Sequence, residues 1–346
     1  MLCALSLLRL KSSVKIKNLI LKILLSVFAT LLCVVIVLLG VVWVFEKGPS
    51  PTLTAAFCKS VRETSAIRWL SEIFLSEEEV AQYKSVSTEL LESEQTNTSL
   101  IELDSAASQS GPALELVDIS AGTCKGKLLI VKNPKSVILG TSEEFAYQPG
   151  LQLTELVSKY GGIAGINAGG FNDNNGTGDG GTPQGLVISG GEILWGSPGN
   201  SYNVVGLDGS GILHVGLMTG QEAVDAGIIW AVSFKTHDGL ASALIINGEV
   251  QEQNLGSGVN PRTAIGQRSD GALLLLVLDG RSINTLGATM DDVVNIMLEY
   301  GAVNAGNLDG GSSSVMVYEG EIINNCASVT GPRQIPTAFV VLEEGD

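Results

Sequence analysis

The sequence predicts an α+β protein, a mixed β-sheet-rich domain with a few packed helices, preceded by one transmembrane helix and a stalk. Three observations carry that prediction. Residues Ile23 to Phe45 run 23 positions without a charge. After Pro112, short β-branched and aliphatic runs alternate with glycine-bearing turns. Two segments of helical periodicity punctuate those runs. Of 346 residues, 45% are hydrophobic and 42 are glycine. That glycine share exceeds the usual ~7%, and with no Gly-X-Y period it points to many tight turns in a packed chain.

At the N-terminus, residues 1–47 hold six of the 20 basic residues and one of the 36 acidic ones, Glu46. The rest therefore carries 14 basic and 35 acidic residues, net −21. So acidic a body repels a nucleic-acid backbone, which excludes nucleic acid as a partner. At a rise of about 1.5 Å per residue, the 23–45 run is long enough for a hydrocarbon core of about 30 Å. It is longer than the apolar stretch of a cleaved signal, and Glu46-Lys47-Gly48-Pro49 follows it rather than a small-residue cleavage site. Arg9, Lys11, Lys15, Lys17 and Lys22 precede it, so the positive-inside rule makes residues 1–22 a basic cytoplasmic tail. Residues 23–45 then cross the lipid bilayer once, and the large acidic body is extracellular at the cell membrane. A bacterial source places it outside the cell. A eukaryotic one places it in the secretory lumen, with Asn97-Thr98-Ser99 and Asn175-Gly176-Thr177 as glycosylation acceptors.

Residues 46–112 read as stalk and linker with one helix, opened by the capping-box pattern Ser76-Glu77-Glu78-Glu79. The polar stretch from Glu92 to Ser110 reads as flexible. Residues 113–345 form the functional domain. Within it, LVISGGEILWG, ALIINGEVQE, AIGQRSDGALLLLVLDG and VMVYEGEIIN are hairpin signatures, with Asn247-Gly248 and Asp270-Gly271 as turns. A short helix covers Thr154 to Tyr160 and stops at Gly161-Gly162. A stronger one has Met290, Val293, Val294, Met297 and Leu298 on one face, Thr289 as cap and Gly301 beyond its end. Each is followed by a strand-like run and a glycine loop, GIAGINAGGFND and AVNAGNLDGGSSS. Cys58, Cys124 and Cys326 lie beyond the span, enough for one disulfide, with Cys124–Cys326 as the candidate pair, or for buried thiols.

Elimination narrows the chemistry. The two histidines, His214 and His237, form no metal-binding pattern. His214 reads as structural, and His237 as a weak candidate for substrate contact. No Gly-x-Ser-x-Gly elbow occurs. The Gly-x-Gly-x-x-Gly match at Gly176–Gly181 runs into Thr182-Pro183 and opens no helix, which excludes dinucleotide binding. The same stretch resembles half a calcium loop. Asp173, Asn175 and Asp179 are its candidate ligands, but position twelve is Gln184 rather than glutamate.

Three clusters of short polar residues on glycine loops remain: Asn167 to Phe171, Asn260 to Ala264, and Asn307 to Ser314. Glycine admits a ligand to backbone amides, an arginine fork suits phosphate oxygens, and a carboxylate nearby can serve a glycosyl centre. At these residues the chain resembles the phosphodiester glycosidase family, whose animal member removes N-acetylglucosamine from a phosphodiester to uncover mannose 6-phosphate. NPRTAIG, VLDGR, NLDGGSSS and GPRQIPTAFVV carry the likeness, with INAGGF as an earlier motif. It covers Gly161 to Val341 and extends toward Pro112. The departures are Ser312, where a third glycine is common, and the lack of a cysteine-rich tail.

The resemblance implies cleavage between a sugar anomeric carbon and a phosphodiester oxygen. It points to Asn167, Gly170, Arg262, Asp279, Asp309 and Arg333, beside Phe171, Thr263, Gly310, Gly311 and Ser312 as substrate-binding neighbours. Arg262 and Arg333 are expected to hold the phosphodiester, Asn167 to orient the sugar, and Asp309 to activate water or stabilise the oxocarbenium-like transition state. Asp279 and Glu249 are the next carboxylates. No cofactor is required by this chemistry, and Ca2+ is the candidate ion. The rival reading is a non-catalytic surface module that binds acidic glycan or wall polymer through the same loops, with or without calcium.

Overall fold

A computed structural model describes residues 2–63, 65–83, 95–103, 111–122, 124–174, 177–234, 242–251, 257–280, 285, 287–326 and 331–343. Helix α1 (Leu2–Lys47) continues the expected span back through the basic tail. Its segment Asn18–Lys47, with mean hydropathy 3.0 and no buried residues in its most apolar stretch, is long and apolar enough to cross a membrane.

The segment expected as a stalk carries more than the one helix anticipated among its described residues. Helix α2 (Pro51–Arg62) starts at Pro51 with Ser50 as its cap, a 3-10 helix covers Ser65–Glu72, and α3 (Glu77–Ala81) has the anticipated Ser76/Glu79 capping box. These pack on the domain beyond. Glu63 accepts from the Gly258 amide (2.7 Å), and the Ser60 hydroxyl accepts from Val259 N (2.9 Å). Residues 95–103 are docked as well. The Thr96 hydroxyl accepts from Val215 N (3.2 Å), Asn97 N donates to Asn247 Oδ1 (2.7 Å), and Ile101 is buried. A polar composition predicts a flexible linker only where the body offers those polar groups no partner. Here the edges of the body do.

The domain begins with the hairpin β1 (Leu114–Ala121) and β2 (Cys124–Val131), then β3 (Val137–Thr141), α4 (Leu153–Lys159) and β4 (Gly162–Asn167). Next come β5 (Val187–Ser189), β6 (Glu192–Trp195), β7 (Ser201–Asp208), β8 (Leu213–Thr219), α5 (Gly220–Asp225) and β9 (Ile228–Ser233). The edge hairpin β10 (Ala243–Ile246) and β11 (Glu249–Val250) precedes β12 (Arg262–Arg268), β13 (Leu273–Leu278), α6 (Met290–Glu299) and β14 (Ala302–Asn307). β15 (Met316–Tyr318), β16 (Glu321–Ile322) and β17 (Thr337–Leu342) complete it. All four expected hairpins form.

Three sheets result, in the orders β1-β2-β13-β12-β14-β10-β11, β16-β15-β4-β17-β3 and β6-β5-β9-β7-β8. One core joins them, with Leu129, Ile166, Val205, Ile265, Leu275 and Phe339 all buried within it. The run LLLLVL of β13 shows why that strand is continuously apolar. Leu273, Leu275 and Val277 face the shared core, while Leu274, Leu276 and Leu278 face the layer under α6. Met290, Val293, Val294 and Met297 of α6 pack there as expected, although Leu298 is exposed. His214 is structural, its Nε2 lying 3.0 Å from Asp208 Oδ2. Cys124 and Cys326 form no disulfide with each other. Their thiols contact the carbonyls of Gly287 (3.4 Å) and Ser312 (3.6 Å).

Candidate active site

Two units of the same design meet at the site. Helix α4 leads through Gly161 (φ +65°) into β4 and the loop Asn167-Ala168-Gly169-Gly170. Helix α6 leads through Gly301 (φ +83°) into β14 and the loop Leu308-Asp309-Gly310-Gly311. The loops join directly, since Asp309 N donates to the Ala168 carbonyl (2.9 Å). Asn167, fully buried, donates from Nδ2 to the Asp309 carbonyl (2.5 Å). Its Oδ1 accepts from the Thr263 hydroxyl (2.9 Å) and Val315 N (3.2 Å). Asn167 therefore fixes the Asp309 loop, with one Nδ2 hydrogen and Oδ1 engaged.

Thr263 is the second residue of β12, and its carbonyl accepts from Leu308 N (2.9 Å), which ties the third cluster to the other two. Gly311 N donates to the Pro261 carbonyl (3.1 Å), and a Cβ on Gly310 would lie 2.9 Å from that same oxygen. Close backbone approach thus favours glycine at Gly310, and a left-handed backbone (φ +63°) favours it at Gly311. Gly170 is similarly confined by Phe234 and Gln184, and its amide points to the Ser233 carbonyl (3.4 Å). Ser312 is partly exposed at the tip of this loop.

Electrostatics single out Asp309. Burial pushes its carboxyl up to about 7; the Ser313 hydroxyl and the Arg333 charge pull against that, and Asp173 adds to it. Arg333 arrives from the loop before β17. Its guanidinium is ion-paired to Asp173, donates to the Gly178 carbonyl (2.7 Å), and stacks 4.7 Å from the ring centroid of the buried Phe171. A carboxyl poised near neutrality beside a stacked guanidinium is an arrangement suited to general acid or base work on an anionic substrate.

Other expected members are placed differently. Because side chains alternate along a strand, Arg262 points away from Thr263, toward α6. There it is buried, paired with Glu63 Oε2 (2.7 Å), and donates to Ser257 Oγ (3.0 Å) and the carbonyls of Gly258 and Ala288. It is a structural cation, not an open phosphodiester clamp. Asp279, at the end of β13, accepts from Asn325 N (2.9 Å); burial raises its pKa against the pull of Asn325, Asn324 and Lys127. It lies under the loop that holds Ser314, since Asn324 Nδ2 donates to the Ser314 carbonyl (3.1 Å). Glu249 does not join the site. Its hairpin turn bonds Val303 and Asn304 at the start of β14, whereas Asp309 follows that strand's end, about 16 Å away at ~3.3 Å per residue.

The candidate calcium ligands have the following partners. Asp173 is neutralised by Arg333, exposed Asp179 accepts from its own Gly181 N (3.0 Å), and Asn175 lies outside the described residues, as does His237. Among the described residues no three ligating side chains cluster. The sequence reading missed Glu63, which lies 199 positions from its arginine and carries no local signal. It also passed over Ser313 and Ser314, quoted in NLDGGSSS but given no role. Ser313 bonds the Asp309 carboxyl, and Ser314 Oγ lies 3.2 Å from the Thr263 hydroxyl.

A 40% identical match over 87 residues joins 25% of the chain to 14% of the SPbeta prophage-derived uncharacterized protein YomE of Bacillus subtilis (strain 168). The N-acetylglucosamine-1-phosphodiester alpha-N-acetylglucosaminidase of Bos taurus is 27% identical over 178 residues, covering 46% of this chain. That match spans 34% of the bovine protein, about a third of its length. In fold, the chain is similar to the catalytic domain of the zebrafish N-acetylglucosamine-1-phosphodiester alpha-N-acetylglucosaminidase, auto-inhibited by pro-peptide. The TM-score is 0.55 at 21% identity, over 68% of this chain and 85% of that one. Residues 160–342, which contain the Asn167, Thr263, Asp309 and Arg333 constellation, match the family described as phosphodiester glycosidase, and the chain belongs to that family.

Proposed function

We propose that this chain is a membrane-anchored, extracytoplasmic hydrolase that cleaves the bond between a sugar anomeric carbon and a phosphodiester oxygen. The observation that carries the reading is the Asp309 carboxyl, raised to about 7, bonded by Ser313 and within the electrostatic reach of Arg333, whose guanidinium stacks on Phe171. In the reaction, ionised Asp309 takes a proton from water as that water attacks the anomeric carbon. The glycosidic C–O bond breaks, the sugar gains a hydroxyl, and the phosphate leaves as a monoester anion. Phosphate is a good leaving group, so no strong general acid is needed. Arg333 neutralises the phosphodiester, which competes with Asp173 for the guanidinium. Asn167 and Thr263 hold the Asp309 loop, and Asp279 is the second carboxylate. Helix α1 supplies the anchor, with the basic residues before its apolar run on the cytoplasmic side.

The test is release of free sugar from an N-acetylglucosamine 1-phosphodiester or a nucleotide sugar by the purified full-length chain. Asp309→Asn should lower kcat by about 10²–10⁴-fold, and a chelator control reports any metal requirement. Undiminished turnover by Asp309→Asn sinks the assignment. Binding without turnover by the unaltered chain favours the glycan-binding module instead.

A further inference from the structure

The segment between α1 and the catalytic domain is folded, and it lies level with the end of α1. Phe57 of α2 stacks on Phe45 of α1, with ring centroids 5.0 Å apart and planes 6° from parallel. Phe74 N, just past the 3-10 helix, donates to Glu46 Oε2 (2.8 Å), and Lys47 pairs with Glu79 of α3 (2.6 Å). If α1 crosses the bilayer, its last turn lies in the headgroup region, and α2, the 3-10 helix and α3 lie there with it. Three large apolar side chains of this segment are nevertheless exposed: Leu53 at 42%, Trp69 at 61% and Phe74 at 36%. Exposed Arg68 adjoins Trp69. A small segment with its own buried nucleus of Cys58, Leu75 and Val80 has no internal reason to leave a tryptophan and a phenylalanine in water.

We propose that residues 51–83 form a membrane-seated collar, with Leu53, Trp69 and Phe74 in the headgroup region of the bilayer that α1 crosses. Tryptophan suits that depth, having an apolar body and one N–H for the wet side, and a neighbouring arginine suits anionic headgroups. On its other side the collar grips the catalytic domain through Ser60 and Glu63, which bond Val259, Gly258 and Arg262. Thr263, next to Arg262, bonds Asn167, and Asn167 bonds Asp309. The domain is thereby held down on the bilayer rather than carried away on a tether.

This inference rests on α1 spanning the bilayer, and the experiment separates the two. The full-length chain is reconstituted in phosphatidylcholine/phosphatidylglycerol vesicles whose lipids are brominated close to the headgroup, and tryptophan emission is compared with that in unbrominated vesicles. Subtracting the Trp69→Phe variant isolates Trp69, and subtracting Trp43→Phe isolates Trp43 in the last turns of α1. The collar predicts that both components lose emission to brominated lipid and that aqueous iodide does not reach Trp69. A quenched Trp43 with an iodide-accessible Trp69 leaves the span standing and overturns the collar. Trp69 shielded from both quenchers means that a protein covers it, which also overturns the collar. Loss of neither component to lipid overturns the span and the collar together.

Discussion

Asp309 sits two residues beyond the end of a buried strand, and its charge is set by what that position brings near it. Burial and Asp173 raise its pKa to about 7 while Ser313 and Arg333 oppose them, so it is roughly half ionised at neutral pH. A base works in its ionised form, so kcat/KM should rise with pH through about 7. Asp173→Asn removes the neighbouring negative charge and frees Arg333 to face Asp309. That limb should then move to lower pH, and a pH–rate profile in which it stays put or moves up contradicts the arrangement. The same ionisation acts on stability. The folded pKa lies above the unfolded value of about 3.9, so this contribution is full below about 4 and is lost as pH rises through about 7. Asp309→Asn should flatten that decline, leaving the variant more stable than wild type by on the order of 1–3 kcal/mol above neutrality in denaturant titrations.

At the scale of elements, the Glu63–Arg262 pair joins α2 to the first residue of β12. Both side chains are almost fully buried, at 5% and 6% exposed. Removing one partner leaves an uncompensated charge inside, so Glu63→Gln should cost about 3–5 kcal/mol, read as a lower melting temperature of the full-length chain in detergent. An unchanged melt refutes a structural role for the pair. Local pattern made the elements on either side legible in advance. Turn chemistry at Asn247-Gly248 and the cap at Thr289 named β10–β11 and α6, and the motif order placed Asn167, Thr263 and Asp309 in one site. The Glu63 contact was not legible, because nothing in the residues around Arg262 distinguishes a cation awaiting a phosphate from one already paired by a distant helix. Glu249 misled for the matching reason. A carboxylate on a hairpin gives no sign of which end of the neighbouring strand it will occupy, and the antiparallel register put it at the far end of β14.

For the whole molecule, composition suggested a self-contained body starting near Pro112, with everything before it serving as tether. The contacts argue otherwise. Residues 48–111 supply the carboxylate for Arg262, the hydroxyl that accepts from Val259 N, the hydroxyl that accepts from Val215 N, and the Glu102 amide that donates to the Ser269 carbonyl (2.7 Å). They also supply buried Ile101. A chain beginning at Pro112 keeps every residue of the proposed site, yet loses the partners of one charge and several backbone groups and uncovers the face they lie on. Each lost hydrogen bond costs about 0.5–1.5 kcal/mol net and the charged pair more. Two chains lacking α1 make the comparison, one beginning at Gly48 and one at Pro112, and the shorter should be less stable by on the order of 5 kcal/mol. A hydrophobic dye should also gain emission on binding the shorter chain, as the face left by Ile101 and α2 becomes open to solvent. Equal melting temperatures for the two would mean that the collar and the 95–103 segment rest on the domain without supporting it, and the route from the membrane to Asp309 through Glu63 and Arg262 would then lose its physical basis.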